Sequence, residues 1–405
     1  MRIPDRFKHG HVEESFMRET FLPYALPFIG EEEITEVVDT LRSGWLSSGP
    51  KVKRFEQDFA AYTGAAHAVA VSSCTAALHI ALTAIGIKPG DEVIVPAITF
   101  CATANVVVHL GARPVIVDVD EHCQISPAEV ARAINSRTKA IVPVHFAGQA
   151  CDLNEILSLG LAHGIPVIED AAHAAGSEYE GKKIGSHGKA VAFSFYATKN
   201  MTTGEGGMLT TQDGDLAARM RQLSLHGMSR NAWNRYSAAG SWFYEVLEPG
   251  YKDNMTDIQA AIGIHQLRRL DSFILRRRQI AARYRESFSG IPGIHLPVEL
   301  PNRNHTYHIF PVRIDSERIG LDRGQFISQL QQLNIGTSVH FIPLYRHSYY
   351  QKTFNYLPSQ FPIAERLFEG MLSLPLYPKM TDEDVSDVIR AVQTQLCGVA
   401  RQLCA

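Results

Sequence analysis

Short apolar runs rich in β-branched residues fill the first half of this 405-residue chain. They occupy residues 68–71, 92–96, 114–119, 140–145, 166–170, 190–195 and 207–211. Helical patterns precede and separate them, at residues 31–41, 52–62, 75–85, 103–110, 126–134 and 153–163. Runs that are apolar throughout suit strands buried on both faces, and strands that alternate with helices assemble into βαβ units. The sequence therefore predicts an α/β fold built on a mainly parallel sheet.

The pattern changes after residue 250. Residues 256–259 (TDIQ) fit a capping box, and residues 257–288 read as one long helix that ends at SGIPG. A strand at 306–314 and helices at 322–333 and 381–396 follow. We expect four parts: an N-terminal arm (1–25), a large domain (26–255), a connecting helix (256–288) and a smaller α+β C-terminal domain (289–405).

Charge and cysteine usage limit the partners of such a chain. The formal net charge is −3 and there is no long basic run, which argues against nucleic acid or an anionic membrane as the main partner. No apolar run approaches the roughly 18 residues that span a bilayer, and the N-terminus has no apolar signal-peptide core. The six cysteines form no CxxC pair. We expect a soluble cytoplasmic protein with reduced thiols and no metal site.

Two polar residues follow buried strands at places where chemistry is plausible. Asp170 ends the run VIED, and in open α/β sheets ligands collect at the carboxyl ends of the strands. Lys199 follows the run at 190–195 and precedes a Gly-rich turn, where desolvation could free its amine to form an imine with an aldehyde. Each has an ordinary alternative, a turn cap for Asp170 and an exposed loop lysine for Lys199.

A third element, VSSCTAAL at residues 71–78, follows a strand and opens a helix. The free N–H groups and the positive dipole end of such a helix make a phosphate cradle, here formed by Ser73, Cys74 and Thr75. Alone the signal is weak, because Ser and Thr are common helix caps. A cradle, a strand-end aspartate and a strand-end lysine together are what pyridoxal phosphate (PLP) requires: phosphate anchor, partner of the pyridinium nitrogen, and imine-forming amine.

Further candidates surround these three elements. Phe100, at the end of EVIVPAITF, could stack on the cofactor ring, and His173 could lie near the ring or be a buried histidine with only a packing role. The stretches 304–308 and 340–350 contain histidine, arginine and aromatic residues that could meet a diphosphate or base, although packing or solvated surface is as common a role. The tentative substrate contacts are Trp45, His308 and His340.

Motifs across nearly the whole chain, from about Leu26 to the C-terminal helix, resemble the DegT/StrS-type sugar aminotransferase family of fold type I PLP enzymes. They are SGWLSSGPKVKRFEQDFA, SSCTAALHIAL, GDEVIVPAITF, VIEDAAHAAG, SFYATKN, TTGEGGMLTT, GYKDNMTDIQAAIG and LSLPLYP. Within the family, VIEDAAHA and GYKDNMTDIQAA are most similar to the aminotransferase that makes UDP-4-amino-4-deoxy-L-arabinose. The sequence departs from many relatives at Cys74, where they have glycine.

The resemblance implies a role for each candidate at the cofactor. Lys199 would be the Schiff-base lysine and proton shuttle, and Asp170 would pair with the pyridine nitrogen. His173 would lie close to the ring and Phe100 would stack on it. The phosphate contacts that the resemblance implies are Cys74, Thr75 and Ser194. A branch of the family that dehydrates sugars has histidine in place of the lysine, and Lys199 speaks against that branch.

The resemblance also implies a homodimer with shared active sites. The stretch 250–256 matches the segment that enters the neighbouring subunit, so Asn254 or Lys252 would reach the partner's cofactor phosphate. The implied reaction is ping-pong transfer of an amino group from glutamate to a nucleotide-linked keto-sugar, such as a UDP-4-keto sugar. The alternatives are amination of a free cyclic ketone, as in aminocyclitol synthesis, and a non-catalytic regulator with this fold.

Overall fold

Two sheets joined edge to edge form the centre of the computed structural model, which describes residues 16–229 and 243–402. The strands are β1 (His67–Val71), β2 (Glu92–Pro96), β3 (Arg113–Val117), β4 (Thr138–Ile141), β5 (Ile168–Asp170), β6 (Glu178–Tyr179), β7 (Lys182–Lys183), β8 (Ala190–Ser194), β9 (Gly207–Thr211), β10 (Ile294–His295), β11 (Arg303–Asn304), β12 (Phe310–Ile314) and β13 (Met371–Leu374). The helices are α1 (Glu31–Ser43), α2 (Pro50–Thr63), α3 (Cys74–Ala84), α4 (Ala102–His109), α5 (Pro127–Ala133), α6 (Leu153–His163), α7 (Gly214–Leu223), α8 (Asp257–Phe288), α9 (Ser316–Ile319), α10 (Arg323–Gln332), α11 (Ser348–Phe354), α12 (Pro362–Gly370) and α13 (Asp382–Gln402).

The central sheet combines the orders β3-β2-β4 and β5-β8-β9-β1. Parallel bridges from Ile141 to Val167 and from Val144 to Asp170 join the two parts. The pairs β2–β3, β2–β4 and β5–β8 are parallel, whereas β9 runs antiparallel to both β8 and β1. All seven predicted runs contain strands, and the prediction of a mainly parallel sheet is confirmed, with β9 as the reversed strand.

The sheet is covered on both faces, as its apolar runs require. Every residue of β2, β8 and β9 is buried. Along β8 the side chains alternate between two apolar clusters: Ala192 packs in one with Ile80 of α3, and Phe193 packs in the other with Phe59 of α2. Since both clusters are closely packed, the ends of β5 and β8 are held in fixed positions relative to each other.

Helix α2 receives its N-terminal cap from a residue distant in sequence. Its N-cap position, Gly49, has no side chain with which to accept a hydrogen bond. The fully buried carboxylate of Asp257, the first residue of α8, accepts hydrogen bonds from the N–H groups of Gly49 (2.8 Å), Lys51 (3.1 Å) and Val52 (2.9 Å). These N–H groups would otherwise lack partners, so one carboxylate fastens the start of α2 to the start of α8.

We expect Asp257→Ala to lower the free energy of unfolding by about 3 kcal/mol, because hydrogen bonds to a charged group each contribute about 1.5–3 kcal/mol and alanine leaves buried donors unpaired. The measurement is urea unfolding followed by circular dichroism. Asp58→Ala is the matched control on α2. Among the described residues its exposed carboxylate pairs with Arg54 alone, at 3.7 Å, so this substitution should change stability by less than about 1 kcal/mol. Equal losses in the two variants would contradict the capping role.

The long helix α8 has the predicted bounds and its capping box, Thr256 with Gln259, is present. A smaller sheet of order β10-β12-β13 packs on its second half, together with α10 and α13. The strand predicted to start at 306 starts at Phe310, because Thr306 and His308 donate their N–H groups to Gly148 (3.0 Å) and Ala147 (2.9 Å) instead. That detour takes His308 away from the sheet and towards the large domain.

The predicted domain limits are crossed in three places. Strand β11 pairs with β6 of the preceding large domain. Leu344 and Tyr350 pack in the same apolar cluster as the central sheet. Leu22, from the predicted arm, is buried in the core of the smaller sheet. Segments that precede α8 in the chain therefore pack with segments that follow it, so the boundary between the two domains is not a single point in the sequence. Among the described residues there is no helix with the length and apolar character needed to cross a membrane.

Candidate active site

A cavity of about 470 Å³ lies where β5 and β8 end and α3 begins. Because β5 and β8 are parallel, their carboxyl ends meet at the same edge of the sheet. Residues of the smaller domain line the opposite side. The predicted residues that line the cavity are Ser73, Cys74, Thr75, Phe100, Asp170, His173, Ser194, Lys199, His308 and His340. The fold thus brings together ten positions that are far apart in the sequence.

Asp170 is buried at the end of β5. Its carboxylate accepts hydrogen bonds from the Thr103 hydroxyl (2.8 Å) and the Ala172 N–H (3.1 Å), and Thr103 is itself bonded to Thr99 (2.8 Å). Burial raises the pKa of Asp170, and the hydrogen bonds partly oppose that rise because they favour the charged form. A buried carboxylate without a cationic hydrogen-bond partner in the described residues is suited to a cation that enters the cavity.

Lys199 projects into the same cavity from the turn that follows β8. Its backbone N–H donates to the carbonyl of Tyr196 (2.9 Å), while its ammonium group has no hydrogen bond with any residue that the structure describes. Burial lowers the pKa of Lys199, although the neighbouring Cys74 and Asp170 oppose the shift. A lowered pKa leaves more of the amine unprotonated and therefore able to attack a carbonyl carbon.

The start of α3 forms a cradle of backbone donors. The Ser73 hydroxyl oxygen caps the helix by accepting the Ala76 N–H (3.0 Å). The N–H groups of Cys74 and Thr75 have no acceptor among the described residues. Strand β9 passes so close to this turn that a Cβ on Gly207 would lie 2.5 Å from the Ser73 carbonyl group and 2.7 Å from the Cys74 nitrogen. The glycine therefore permits the turn to sit against the strand.

We expect Gly207→Ala to weaken the binding of PLP about tenfold or more, because the added methyl must displace the backbone of the phosphate cradle. Equilibrium titration of the apoprotein with PLP, followed by visible absorbance, measures this. Gly324→Ala on α10 is the control, since a Cβ there meets only the end of the Asp322 side chain at 3.2 Å. Unchanged PLP affinity in Gly207→Ala would contradict a role of this turn in holding the phosphate.

Three histidines, His173 from the end of β5 and His308 and His340 from the smaller domain, line one part of the cavity. The rings of His173 and His308 are 4.3 Å apart between centroids, and the His173 and His340 centroids are 6.4 Å apart. Burial, and after it the charge of Lys199, lowers the pKa of His173 and brings that of His340 to about 4, and burial also lowers the pKa of His308. The Nδ1 atoms of His173 and His308 have no hydrogen-bond partner among the described residues. All three imidazoles are therefore neutral at physiological pH and can accept or donate one hydrogen bond to a ligand.

Sequence analysis missed several side chains at this cavity. Phe341 lies 5.7 Å from His173 and 5.9 Å from Phe100 between ring centroids, and Tyr24 lines the same wall. Thr103, which holds Asp170, was predicted only as the start of a helix. Phe341 belongs to the stretch 340–350 in which substrate contacts are predicted, although it is not one of the named candidates. Tyr24 lies before the first motif, so only its spatial neighbours reveal it.

The residues present fit PLP. The cradle offers unused donors to a phosphate, Asp170 offers a buried negative charge to a ring nitrogen, and Lys199 offers an unbonded amine to the aldehyde. Phe100, with 58% of its surface exposed, presents an aromatic face at the cavity. The arrangement can hold an anionic aromatic aldehyde and move a proton beside it.

Comparison with known proteins also points to an aminotransferase. The model of the DegT/DnrJ/EryC1/StrS aminotransferase family matches residues 27–393. The chain belongs to this family. It is similar to the spore coat polysaccharide biosynthesis protein SpsC of Bacillus subtilis, with 56% identity over 94% of this chain and 98% of that protein.

Solved structures of sugar aminotransferases share the fold. The putative sugar aminotransferase Spr1654 from Streptococcus pneumoniae, in its PMP form, has a TM-score of 0.87 at 36% identity, covering 93% of this chain and all of that one. PseC of Helicobacter pylori, an aminotransferase of pseudoaminic acid biosynthesis, has a TM-score of 0.87 at 28% identity, covering 94% and 100%. The expected fold type I architecture and family are confirmed, and the protein is a PLP-dependent aminotransferase.

Other predicted contacts of this DegT/DnrJ/EryC1/StrS aminotransferase lie outside the cavity of the single subunit. Trp45 is half exposed and is not part of the cavity wall. Lys252 is exposed, and Asn254 donates to the Ser48 hydroxyl (2.8 Å) and accepts from Lys252. Their expected contact with a neighbouring subunit remains a prediction.

Most of the stretch 340–350 is used for packing. Only His340 and Phe341 of this stretch line the cavity. Arg346 pairs with Glu365, and the Tyr350 hydroxyl donates to Asn105 (2.6 Å). In the other stretch, Asn304 accepts from Arg278 and donates to Glu178 (3.3 Å), away from the cavity. The arginine expected to meet a diphosphate is thus engaged by a carboxylate.

Proposed function

We propose that this aminotransferase moves the amino group of glutamate to a nucleotide-linked keto-sugar, with a UDP-4-keto sugar as the first candidate. The observation that carries the proposal is the unbonded amine of Lys199 in one cavity with the buried carboxylate of Asp170 and the cradle at Ser73–Thr75. SpsC acts in polysaccharide biosynthesis and PseC in pseudoaminic acid biosynthesis, which supports a sugar as acceptor.

Each residue has a proposed task. The cradle binds the cofactor phosphate, Ser194 and Thr75 add hydroxyls, and Phe100 covers one ring face. Asp170 keeps a negative charge at the ring nitrogen. When bound, PLP withdraws electrons from the substrate carbon that loses or gains the amino group. Lys199 would hold the cofactor aldehyde and, when freed from it, its amine would take up and return a proton at the substrate carbon.

A homodimer is part of the proposal. Lys252 and Asn254 lie on the surface outside their own cavity, which suits the proposed contact with the cofactor phosphate of the partner subunit. The four cysteines at 74, 101, 123 and 151 are unpaired, which supports the expected cytoplasmic location, where thiols stay reduced.

The experiment follows the two halves of the reaction separately. The protein is loaded with PLP, and glutamate should remove its visible absorbance band. After glutamate is washed out, UDP-, dTDP- and GDP-linked keto-sugars and a free cyclic ketone are added one at a time. We expect the UDP-4-keto sugar to restore the band fastest. Restoration only by the free ketone would overturn the nucleotide-sugar assignment, and a band that no amino acid removes would overturn amino transfer.

A further inference from the structure

The N-terminal arm is fastened to the smaller domain just before it reaches the cavity. Leu22 is buried, its N–H donates to the Asn334 carbonyl (2.8 Å), and its carbonyl accepts from the Gly336 N–H (2.8 Å). Farther back, Arg18 donates to the carboxylate of Asp387 (2.9 Å). A strand-like contact and an ion pair therefore fix the backbone on both sides of a short loop. The residues of the arm that follow Leu22 are therefore held against the smaller domain.

Tyr24, two residues beyond Leu22, enters the cavity wall from this arm. Its ring packs against that of His340, with centroids 5.3 Å apart. Its hydroxyl makes no hydrogen bond with the described residues. Burial raises the pKa of the Tyr24 phenol, so that it remains a neutral O–H donor across the physiological range. Tyr24 is half-buried, and a donor at a cavity wall without a partner on the protein is suited to an acceptor on a ligand.

Arg277 places a positive charge behind this part of the wall. Its side chain is only 2% exposed, and its Nη1 donates to the carbonyls of His308 (2.9 Å) and Leu376 (2.9 Å). Its Nε has no partner, and its hydrogen bonds all go to backbone carbonyls, with no ion pair in the part of the chain that the structure describes. Burial lowers the pKa of Arg277 to about 10, which still leaves it charged at neutral pH, and it interacts electrostatically with Tyr24.

A buried cation without a counter-ion favours an anion nearby. His340 adds a second neutral group here: its Nδ1 is bonded to the Ser373 hydroxyl (2.9 Å), which leaves Nε2 for the cavity. Among the described residues that line the cavity, the carboxylates are Asp170 and Glu205. Asp170 accepts from Thr103, and the titratable neighbour of Arg277 is Tyr24, not a carboxylate.

We propose that the arm delivers Tyr24 as a substrate-binding residue whose hydroxyl donates a hydrogen bond to the α-carboxylate of the amino donor. The inference rests on the proposed amino transfer. In an amino acid the α-carboxylate is bonded directly to the carbon that reacts, so it must enter the cavity with that carbon. In a 4-keto nucleotide sugar the diphosphate lies across the sugar ring from the reacting carbon. A neutral hydroxyl donor beside the reacting position, with the charge of Arg277 behind it, therefore matches the amino donor.

The test is Tyr24→Phe in the PLP-loaded full chain, with stopped-flow absorbance over a range of glutamate concentrations. We expect the glutamate concentration at half-maximal rate to rise about tenfold or more, because a hydrogen bond to a charged group is lost. The return of the band with the keto-sugar should keep its wild-type rate. Tyr349→Phe is the matched control, since that tyrosine is exposed on α11 outside the cavity.

The role of Tyr24 can be tested even if glutamate is not the amino donor. If glutamate does not remove the band of the wild-type protein, the titration uses whichever amino acid does, because every amino acid carries an α-carboxylate. Equal half-maximal concentrations in Tyr24→Phe, Tyr349→Phe and wild type would overturn the inference. The inference would also be overturned if Tyr24→Phe slowed only the keto-sugar half-reaction. Circular dichroism spectra that match wild type show that both variants are folded.

Discussion

Replacing Lys199 with alanine should abolish amino transfer, with a fall of at least about 10⁴-fold in the rate at which glutamate removes the cofactor absorbance band. The expectation follows from the two tasks proposed for one amine, which are to bind the cofactor aldehyde and to carry the proton at the substrate carbon. The side chain has no hydrogen bond with the described residues, so its removal should cost little stability. PLP should still bind through the cradle and Asp170, but more weakly.

Borohydride reduction gives an independent readout. In the wild type it should fix PLP permanently on the protein, and peptide mass spectrometry should place the modification on Lys199. In Lys199→Ala, no peptide should carry the PLP modification in a yield equal to that of the Lys199 peptide in the wild type. Lys139→Ala is the matched control, because Lys139 is exposed on β4 and donates only to the Ser136 carbonyl (3.1 Å). Full activity in Lys199→Ala would contradict the assigned site.

Replacing Asp170 with asparagine should slow the glutamate half-reaction about 10²- to 10³-fold. This range follows because removal of one partner from a buried charge pair costs about 3–5 kcal/mol, and each 1.4 kcal/mol changes a rate by a factor of about ten. Asparagine keeps the size of the side chain and can still bond to Thr103. The lost property is the negative charge at the position proposed for the ring nitrogen.

The stability of the apoprotein should not fall in Asp170→Asn, in contrast to its reaction rate. Burial raises the pKa of Asp170 above its unfolded value, so the folded state loses stability as the pH rises through the interval between the two pKa values, and the deficit persists at neutral pH. Asparagine removes that deficit. We therefore expect apo Asp170→Asn to be at least as stable as the wild type at pH 7, while its advantage disappears at acidic pH.

Asp118→Asn provides the reciprocal control. The buried Asp118 carboxylate accepts the N–H groups of Ile363 (2.9 Å) and Ala364 (2.9 Å) at the start of α12, outside the cavity. We expect this variant to lose about 1–2 kcal/mol of stability and to keep its half-reaction rate. If Asp170→Asn destabilised the apoprotein as Asp118→Asn does and left the rate unchanged, Asp170 would have a structural role only.

Local patterns were sufficient for the elements that carry the site. The apolar runs before Asp170 and Lys199 could be read as strands because both faces are buried, and a strand buried on both faces has no polar alternation. The capping box at Thr256–Gln259 and the turn after Phe288 defined α8 at both ends. These signals depend on neighbours within a few residues, which a sequence contains directly.

The sequence by itself determined the α/β class and the connecting helix, and it predicted the lysine, aspartate and cradle that the fold brings into one cavity. The tertiary structure alone decided the reversal of β9, the capping of α2 by Asp257, and the entry of Tyr24 into the cavity in front of Arg277. The physical reason is the same in each case. A backbone pairing, hydrogen bond or charge interaction between separate segments leaves no periodic trace in the chain, because its partners are chosen by the packing of the folded state.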